Sequence, residues 1–301
     1  MSIAEQYQII KKLGEQSRRK FGETYLVKSK ESGDLAVLKA VRVSPTSKNN
    51  QERLKLESGF TFKFNGLPKI LDFYESESEV ILIKPFIEGI TIDQYWNTLK
   101  RKQRRPFLIQ FLQKIAPVFD HLVNENIVHA DIKPSNILIQ TGDDDISVHL
   151  IDFGLSLHLD DIDERTTLFP LGYAAPELIL NHLDLVDQRS DIFALGVLIW
   201  RLYAGKLPLT HPNPSIFTNL QLTHPLPENS EIPKKLFKVL SKMCAKHQFK
   251  IPPNRMDQDD VRMALLSAMN ERYNSLQEIN ADLVDWGKGS LFFRSKVFSP
   301  T

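Results

Sequence analysis

Residues 127–139 read IVHADIKPSNILI and place Asp131, Lys133 and Asn136 within one short loop, between two runs of branched apolar residues. Three kinds of group meet there. A carboxylate can accept the proton of a hydroxyl, an ammonium can neutralise an anionic oxygen, and a carboxamide offers the hard oxygen that Mg2+ prefers. Phosphoryl transfer asks for this set, because it depends on placement and charge stabilisation more than on covalent help from the protein. A second carboxylate, Asp152, ends an apolar run in LIDFGLS (150–156), sixteen residues after Asn136, and Gly154 permits a sharp turn beyond it. YAAPE follows at 173–177. Either motif alone is modest evidence; in this order and at this spacing, chance is a poor explanation.

Such residues need elements to hold them. Upstream of Pro85 the chain is rich in short β-like runs: YQIIKKL (7–13), ETYLVKS (23–29), LAVLKAV (35–41), PKILDFY (68–74) and SEVILIK (78–84). Turn residues such as Glu31-Ser32-Gly33-Asp34 separate them, so an antiparallel sheet of hairpins is expected, interrupted by one helix between about Asn50 and Lys63. After PFIEG (85–89) apolar residues recur at helical spacing, and Pro106 fits a first helical turn. From there to about residue 268 the segments read as mainly helical, apart from the short strands NILIQ and SVHLI. The plan is a small β-rich lobe followed by a larger α-rich one, without internal repeats.

At 301 residues, 42% hydrophobic and 25% charged, the composition is that of a globular chain with room for a large core. Thirty-eight Lys and Arg against 37 Asp and Glu give no overall field to attract nucleic acid or an anionic membrane, and neither is expected as a partner. Cys244 is the only cysteine, which excludes an intramolecular disulfide and reads as a buried, inert thiol in a reducing compartment. MSIAEQYQIIKK lacks the apolar stretch of a signal peptide, and IFALGVLIW (192–200) is too short to cross a bilayer, so a cytoplasmic location is expected. The charge runs KRKQRR (100–105) and DDIDE (160–164) read first as solvated segments, the former also able to dock an acidic partner.

With HADIKPSN, DFG and YAAPE in this order, the chain resembles the eukaryotic-like Ser/Thr protein kinase family over about residues 7–267. The resemblance implies an α+β, bilobal fold: an N-lobe over 1–86 with one main helix, a C-lobe over 87–268, and an extension, 269–301, of unassigned role. It also implies ATP and Mg2+ as cofactors, and transfer of the γ-phosphoryl group to a Ser or Thr hydroxyl of a protein substrate. Lys133, two residues after Asp131, is similar to the Ser/Thr branch, while FGETYLV and YAAPEL are similar to bacterial members. Matched residue by residue, the resemblance makes Lys39 in AVLKA the lysine that holds the α- and β-phosphates, with Glu57 chosen over Glu52 as its partner. The same resemblance implies that Asp131 orients the acceptor hydroxyl, that Lys133 steadies the phosphates, and that Asn136 and Asp152 hold the metal. It further implies that Gly14 and Gly22 bound the phosphate-covering loop, that Thr24 walls the adenine, and that Pro85 C=O and Ile87 N–H meet its edge. Asp191 is matched to a residue that bonds the catalytic-loop backbone, and Glu177 to one that pairs with Arg255.

Four departures accompany the likeness. Gly14 and Gly22 stand eight apart with no glycine between, and Arg18, Arg19 and Lys20 fill the interval. Lys84 falls at the position behind adenine, where it needs a carboxylate or a path to water. Ala130 replaces the arginine that in most members reads a phosphate on the activation loop (a non-RD type), so activity is expected without that phosphorylation. Pro170 stands where the Ser/Thr branch usually has threonine. An active kinase and a pseudokinase or nucleotide-binding scaffold both remain open; a small-molecule kinase fits poorly with YAAPE. The sequence gives no oligomeric state, and Trp286, Phe292, Phe293 and Phe298 in the last segment suit packing on the chain's own domain or a partner.

Overall fold

A computed structural model describes residues 3–13, 22–142, 145–161 and 169–287. Two compact units divide the chain: Met1–Gly89 with His149–Leu155, and Ile90–Val148 with Ser156–Thr301.

The first unit opens with a short helix, α1 (Ile3–Gln6), and the strands β1 (Tyr7–Lys12), β2 (Glu23–Ser29) and β3 (Leu35–Arg42). It continues through helix α2 (Lys48–Ser58) and strands β4 (Asp72–Glu75) and β5 (Glu79–Pro85). The five strands form one antiparallel sheet in the order β1-β2-β3-β5-β4. Gly33, at φ 79°, makes the β2–β3 turn, closed by Ser29 N–H to the Asp34 carbonyl at 2.8 Å. The interior strand β5 is buried from Val80 to Lys84. Alternation sorts its side chains: Ile81 and Ile83 join Val27, Ala36 and Leu38 on one face, while Val80 and Leu82 join Val41 and Leu54 of α2 on the other. The strand expected from Pro68 begins only at Asp72, and the helix expected to reach Lys63 stops at Ser58. Both differences lie in one stretch, where Gly59 ends the helix and Phe60 and Phe62 turn away to pack on Phe153, with ring centroids 5.6 and 5.1 Å apart.

The second unit contains β6 (Ile90–Thr91), α3 (Ile92–Thr98), α4 (Arg101–Asn124), β7 (Ile127–Val128) and β8 (Ile137–Thr141). After β9 (Ile146–Leu150), whose last two residues belong to the first unit, come β10 (Leu157–His158) and α5 (Pro176–Ile179). Helices α6 (Gln188–Ala204), α7 (Pro214–Thr223), α8 (Lys234–Met243), α9 (Gln258–Met269) and α10 (Leu276–Gly287) complete it. Two short antiparallel pairings, β6 with β8 and β7 with β10, flank the loop of Asp131. Helix α6 is the hub, buried almost throughout; Asp187 caps it by accepting from Arg189 N–H, and Gly205 at φ 74° ends it. Cys244 is buried against this helix, its thiol 3.5 Å from the Phe193 carbonyl, and burial pushes its pKa up to about 12, an inert state. Helix α4 starts at Arg101, so Pro106 lies inside it rather than in its first turn, a correction that adds a basic turn upstream. Helix α10 packs on α4, burying Ile279, Leu283 and Trp286. Among the described residues no helix is long and apolar enough to cross a membrane. The tail residues Phe292, Phe293 and Phe298 lie outside the described residues.

Candidate functional site

In the first unit the pleat fixes which polar side chains meet. Lys39 on β3 stands opposite Leu82 of β5 and Thr24 of β2, and Lys84, two residues beyond Leu82, shares that face. Helix α2 presents Glu57 to the same face. Lys39 Nζ lies 2.9 and 2.7 Å from the two Glu57 oxygens and 3.1 Å from Asp152 Oδ1. Lys84 Nζ bonds Glu57 Oε1 as well, so one carboxylate, 2% exposed, is shared by two ammonium groups. Glu57 occupies the last turn of α2, where the helix dipole opposes negative charge, and the two lysines offset that. Burial alone pushes Lys39 down, but the charges of Asp152 and Glu57 outweigh it and hold its pKa above the usual lysine range. Burial and the neighbouring Lys39 charge push Lys84 below that range despite Glu57. Asp152 takes a left-handed backbone at φ 70°, strained for a residue with a side chain.

In the second unit the loop after β7 is built around Asp131, which is 6% exposed. Lys133 Nζ donates to Asp131 Oδ2 at 2.6 Å. Asn136 Nδ2 donates to the Asp131 carbonyl and to Oδ2, both at 2.9 Å. With its nitrogen end engaged in this way, Asn136 keeps Oδ1 as an acceptor, reached by the Ser135 hydroxyl at 3.2 Å. Asp191 at the start of α6 receives His129 N–H at 2.7 Å and Ala130 N–H at 2.8 Å. Those two bonds hold Ala130 at φ 59°, a conformation that aims the next residue, Asp131. Burial raises the Asp191 pKa to about 7, although the two N–H groups work the other way.

The protein kinase domain family matches residues 7–255, most of the chain. This chain is a member of that family. It is 26% identical over 178 residues to an Aurora kinase of Yarrowia lipolytica, covering 58% of this chain and 46% of the relative. It is 30% identical over 177 residues to a carbon catabolite-derepressing protein kinase of Candida tropicalis, covering 58% and 27%. An Aurora kinase of Schizosaccharomyces pombe is 28% identical over 177 residues, with 58% and 48% covered. The chain thus spans less than half the length of each of these relatives.

Against this kinase frame, the Lys39–Glu57 pair predicted from sequence is present, and the Asp191 contacts fall on the backbone they were matched to. Gly22 has φ 96°, and a Cβ there would stand 2.6 Å from the Ala40 carbonyl oxygen, so the chain needs glycine. Gly14, Arg18, Arg19 and Lys20 lie outside the described residues. Pro85 ends β5 opposite Ala36, and Phe86 N–H is tied to the Leu35 carbonyl, which leads the backbone out through Ile87. One expectation is corrected: Glu177 does not pair with Arg255. Arg255 is exposed in a 3₁₀ turn (Pro253–Arg255), and Arg272, beyond α9, takes its place with Nη1 2.6 Å and Nη2 3.1 Å from the two Glu177 oxygens. Both partners are almost wholly buried, and Ser190 adds a hydrogen bond at 2.6 Å. Burial pushes Glu177 up, yet Arg272 and Ser190 outweigh it and keep the carboxyl below its ordinary range. Sequence reasoning missed Arg272 because only a local motif, PPNRM, was used to place the arginine.

Proposed function

We propose that the chain is a Ser/Thr protein kinase that transfers the γ-phosphoryl group of ATP, as its Mg2+ complex, to a hydroxyl of a protein substrate. The observation that carries this reading is Lys39 held between Glu57 and Asp152 at 2.7 and 3.1 Å. An ammonium locked between two carboxylates is positioned for a polyanion. In this reading Lys39 holds the α- and β-phosphates and Glu57 fixes its direction. Thr24 lines the adenine, and the Pro85 carbonyl and Ile87 N–H meet its edge, while Gly14 and Gly22 bound the loop over the phosphates. Asp131 receives the acceptor hydroxyl and takes its proton, and Lys133, already on Asp131, places positive charge beside the transferring group. The hard oxygens of Asn136 and Asp152 suit a magnesium ion, whose chemistry is to neutralise charge on the phosphate oxygens. Rate enhancement then comes from placement and charge complementarity.

Transfer of label from γ-labelled ATP to a generic protein acceptor tests this, with wild type and Asp131→Ala compared. The expected result is labelled phosphoserine or phosphothreonine from wild type, with the rate reduced about 10²–10⁴-fold in the variant. Thermal stabilisation by ATP with no transfer from wild type would instead mark a nucleotide-binding scaffold. Label on a small metabolite but never on protein would overturn the substrate class.

A further inference from the structure

The basic run 100–105 is not a plain solvated helix end. Arg101 and Lys102 are exposed, but Arg104 and Arg105 are only partly so. The Arg104 guanidinium lies 5.1 Å from the ring centre of Trp96, and that of Arg105 lies 5.1 Å from the ring centre of Trp286. Arg101, Arg104, Arg105, Tyr203 and Trp286 line a pocket of about 270 Å³ at the start of α4. Four buried donors gather here with no acceptor among the described residues: Nε of Arg104, Nε of Arg105, the hydroxyl of Tyr203, and Nε1 of Trp96 beneath Arg104. Trp96 and Tyr203 meet edge to face at 4.8 Å, so the four belong to one cluster.

Buried donors are rarely left unmatched, and the three on Arg104, Arg105 and Tyr203, which line one pocket, ask for a shared acceptor. Two of them belong to permanent cations. Burial pushes the Tyr203 pKa up, which keeps its hydroxyl a donor through the physiological range. The acidic side chain at the rim, Glu231, is exposed and approaches Arg101 at 3.7 Å. What fits is an anion with more than one charge and several acceptor oxygens. A carboxylate has one charge and two oxygens, whereas a phosphate offers up to two charges and at least three terminal oxygens for guanidinium donors. The volume admits a phosphoryl group with a short body, and falls below the usual range for larger ligands.

We propose that this pocket binds a small phosphate, either inorganic phosphate or a phosphate monoester, through Arg104, Arg105 and Tyr203. None of these residues belongs to the Lys39 or Asp131 clusters, so the proposal stands independently of the kinase reading. Trp286 lines the pocket and Trp96 lies against the Arg104 guanidinium, while the third tryptophan, Trp200, is buried with Nε1 on the Pro227 carbonyl and does not line it. Intrinsic fluorescence therefore reports on the pocket directly. The full chain is titrated with inorganic phosphate and, separately, with glycerol phosphate, against acetate and chloride at matched ionic strength. The expected result is a saturable change with phosphate that persists in Lys39→Met. It weakens at least about tenfold in Arg104→Gln or Arg105→Gln, the loss expected when a charged hydrogen bond is removed. Tighter binding of glycerol phosphate identifies a monoester site, and tighter binding of inorganic phosphate a free-anion site. Tyr203→Phe and Arg105→Lys, which preserve shape or charge, give the same reading if the glutamine variants fold poorly: each weakens binding while the melting temperature without ligand holds. A response no larger than with chloride or acetate, one that survives in Arg104→Gln combined with Arg105→Gln, or one abolished by Lys39→Met, overturns the proposal.

Discussion

Glu57 carries more than a single ion pair. Lys39 takes both of its oxygens and Lys84 takes one, in a site where Lys84 has almost no access to water. Deleting the anion leaves a buried ammonium uncompensated, whereas deleting Lys84 leaves Glu57 still paired with Lys39. Glu57→Gln should therefore lower unfolding free energy by about 3–5 kcal/mol, and Lys84→Met by much less, because an apolar side chain of similar length removes a desolvated charge. Combining Lys84→Met with Glu57→Gln should recover part of the loss. Urea unfolding of the three variants checks the order, and equal losses from the two single changes would show that Glu57 is not shared as described. Asp191 makes a pH prediction. Its folded pKa, about 7, stands above its ordinary 3.8, so between those values the folded chain holds a proton that the unfolded chain has released. The resulting stabilisation is complete below about pH 3.8 and is lost as pH rises to about 7. Asp191→Asn, a neutral isostere, lacks this titration. The stability of wild type relative to the variant should fall by at most about 1.4 kcal/mol per pH unit through the window and level off above pH 8. A difference independent of pH would contradict the assignment.

Arginine placement is where element geometry overrode local pattern. PPNRM led to Arg255, yet its 3₁₀ turn leaves that side chain in solvent, while the chain leaving α9 carries Arg272 over the Phe193 ring at 4.9 Å and onto Glu177. Arg272→Ala should cost about 3–5 kcal/mol, since Glu177 would be buried without its cation. Arg255→Ala should change stability by no more than about 0.5 kcal/mol, as for an ordinary surface site. Chemical denaturation of the pair decides between them, and the reverse order would restore the local-pattern assignment. The strands are easier to read because short apolar and β-branched runs set off by turn residues are a local signal, and the run ETYLVKS coincides with β2. Element ends were harder. Nothing in PKILDFY says that residues 68–71 stay outside the sheet, and nothing in KRKQRR says that α4 starts a turn before its proline. Those ends depend on what the neighbouring rings cover: Phe60 and Phe62 on Phe153, and the indoles of Trp96 and Trp286 beside Arg104 and Arg105.

Across the whole chain, the grouping of polar residues was legible wherever it lies within one loop or one strand pair. Asp131, Lys133 and Asn136 are neighbours in sequence, and Lys39 has a fixed register on β3. The partner of Lys84 and the donors around Tyr203 were not legible, because they depend on where long side chains point after packing. One property of the proposed activity can still be argued from a single position. Ala130 is buried and its N–H is bound by Asp191, but a methyl group cannot form charge-assisted hydrogen bonds to a phosphate on the activation segment. The acidic run at 160–164 would repel added phosphate rather than receive it. Protein stripped by a phosphatase should therefore transfer phosphate to substrate as fast as protein first incubated with ATP, within about threefold, less than ~1 kcal/mol in the barrier. Initial rates before and after phosphatase treatment, with site occupancy followed by mass spectrometry, provide the check. A loss of about tenfold or more on dephosphorylation, ~1.4 kcal/mol, would mean that another cation reads the phosphate in place of the missing arginine.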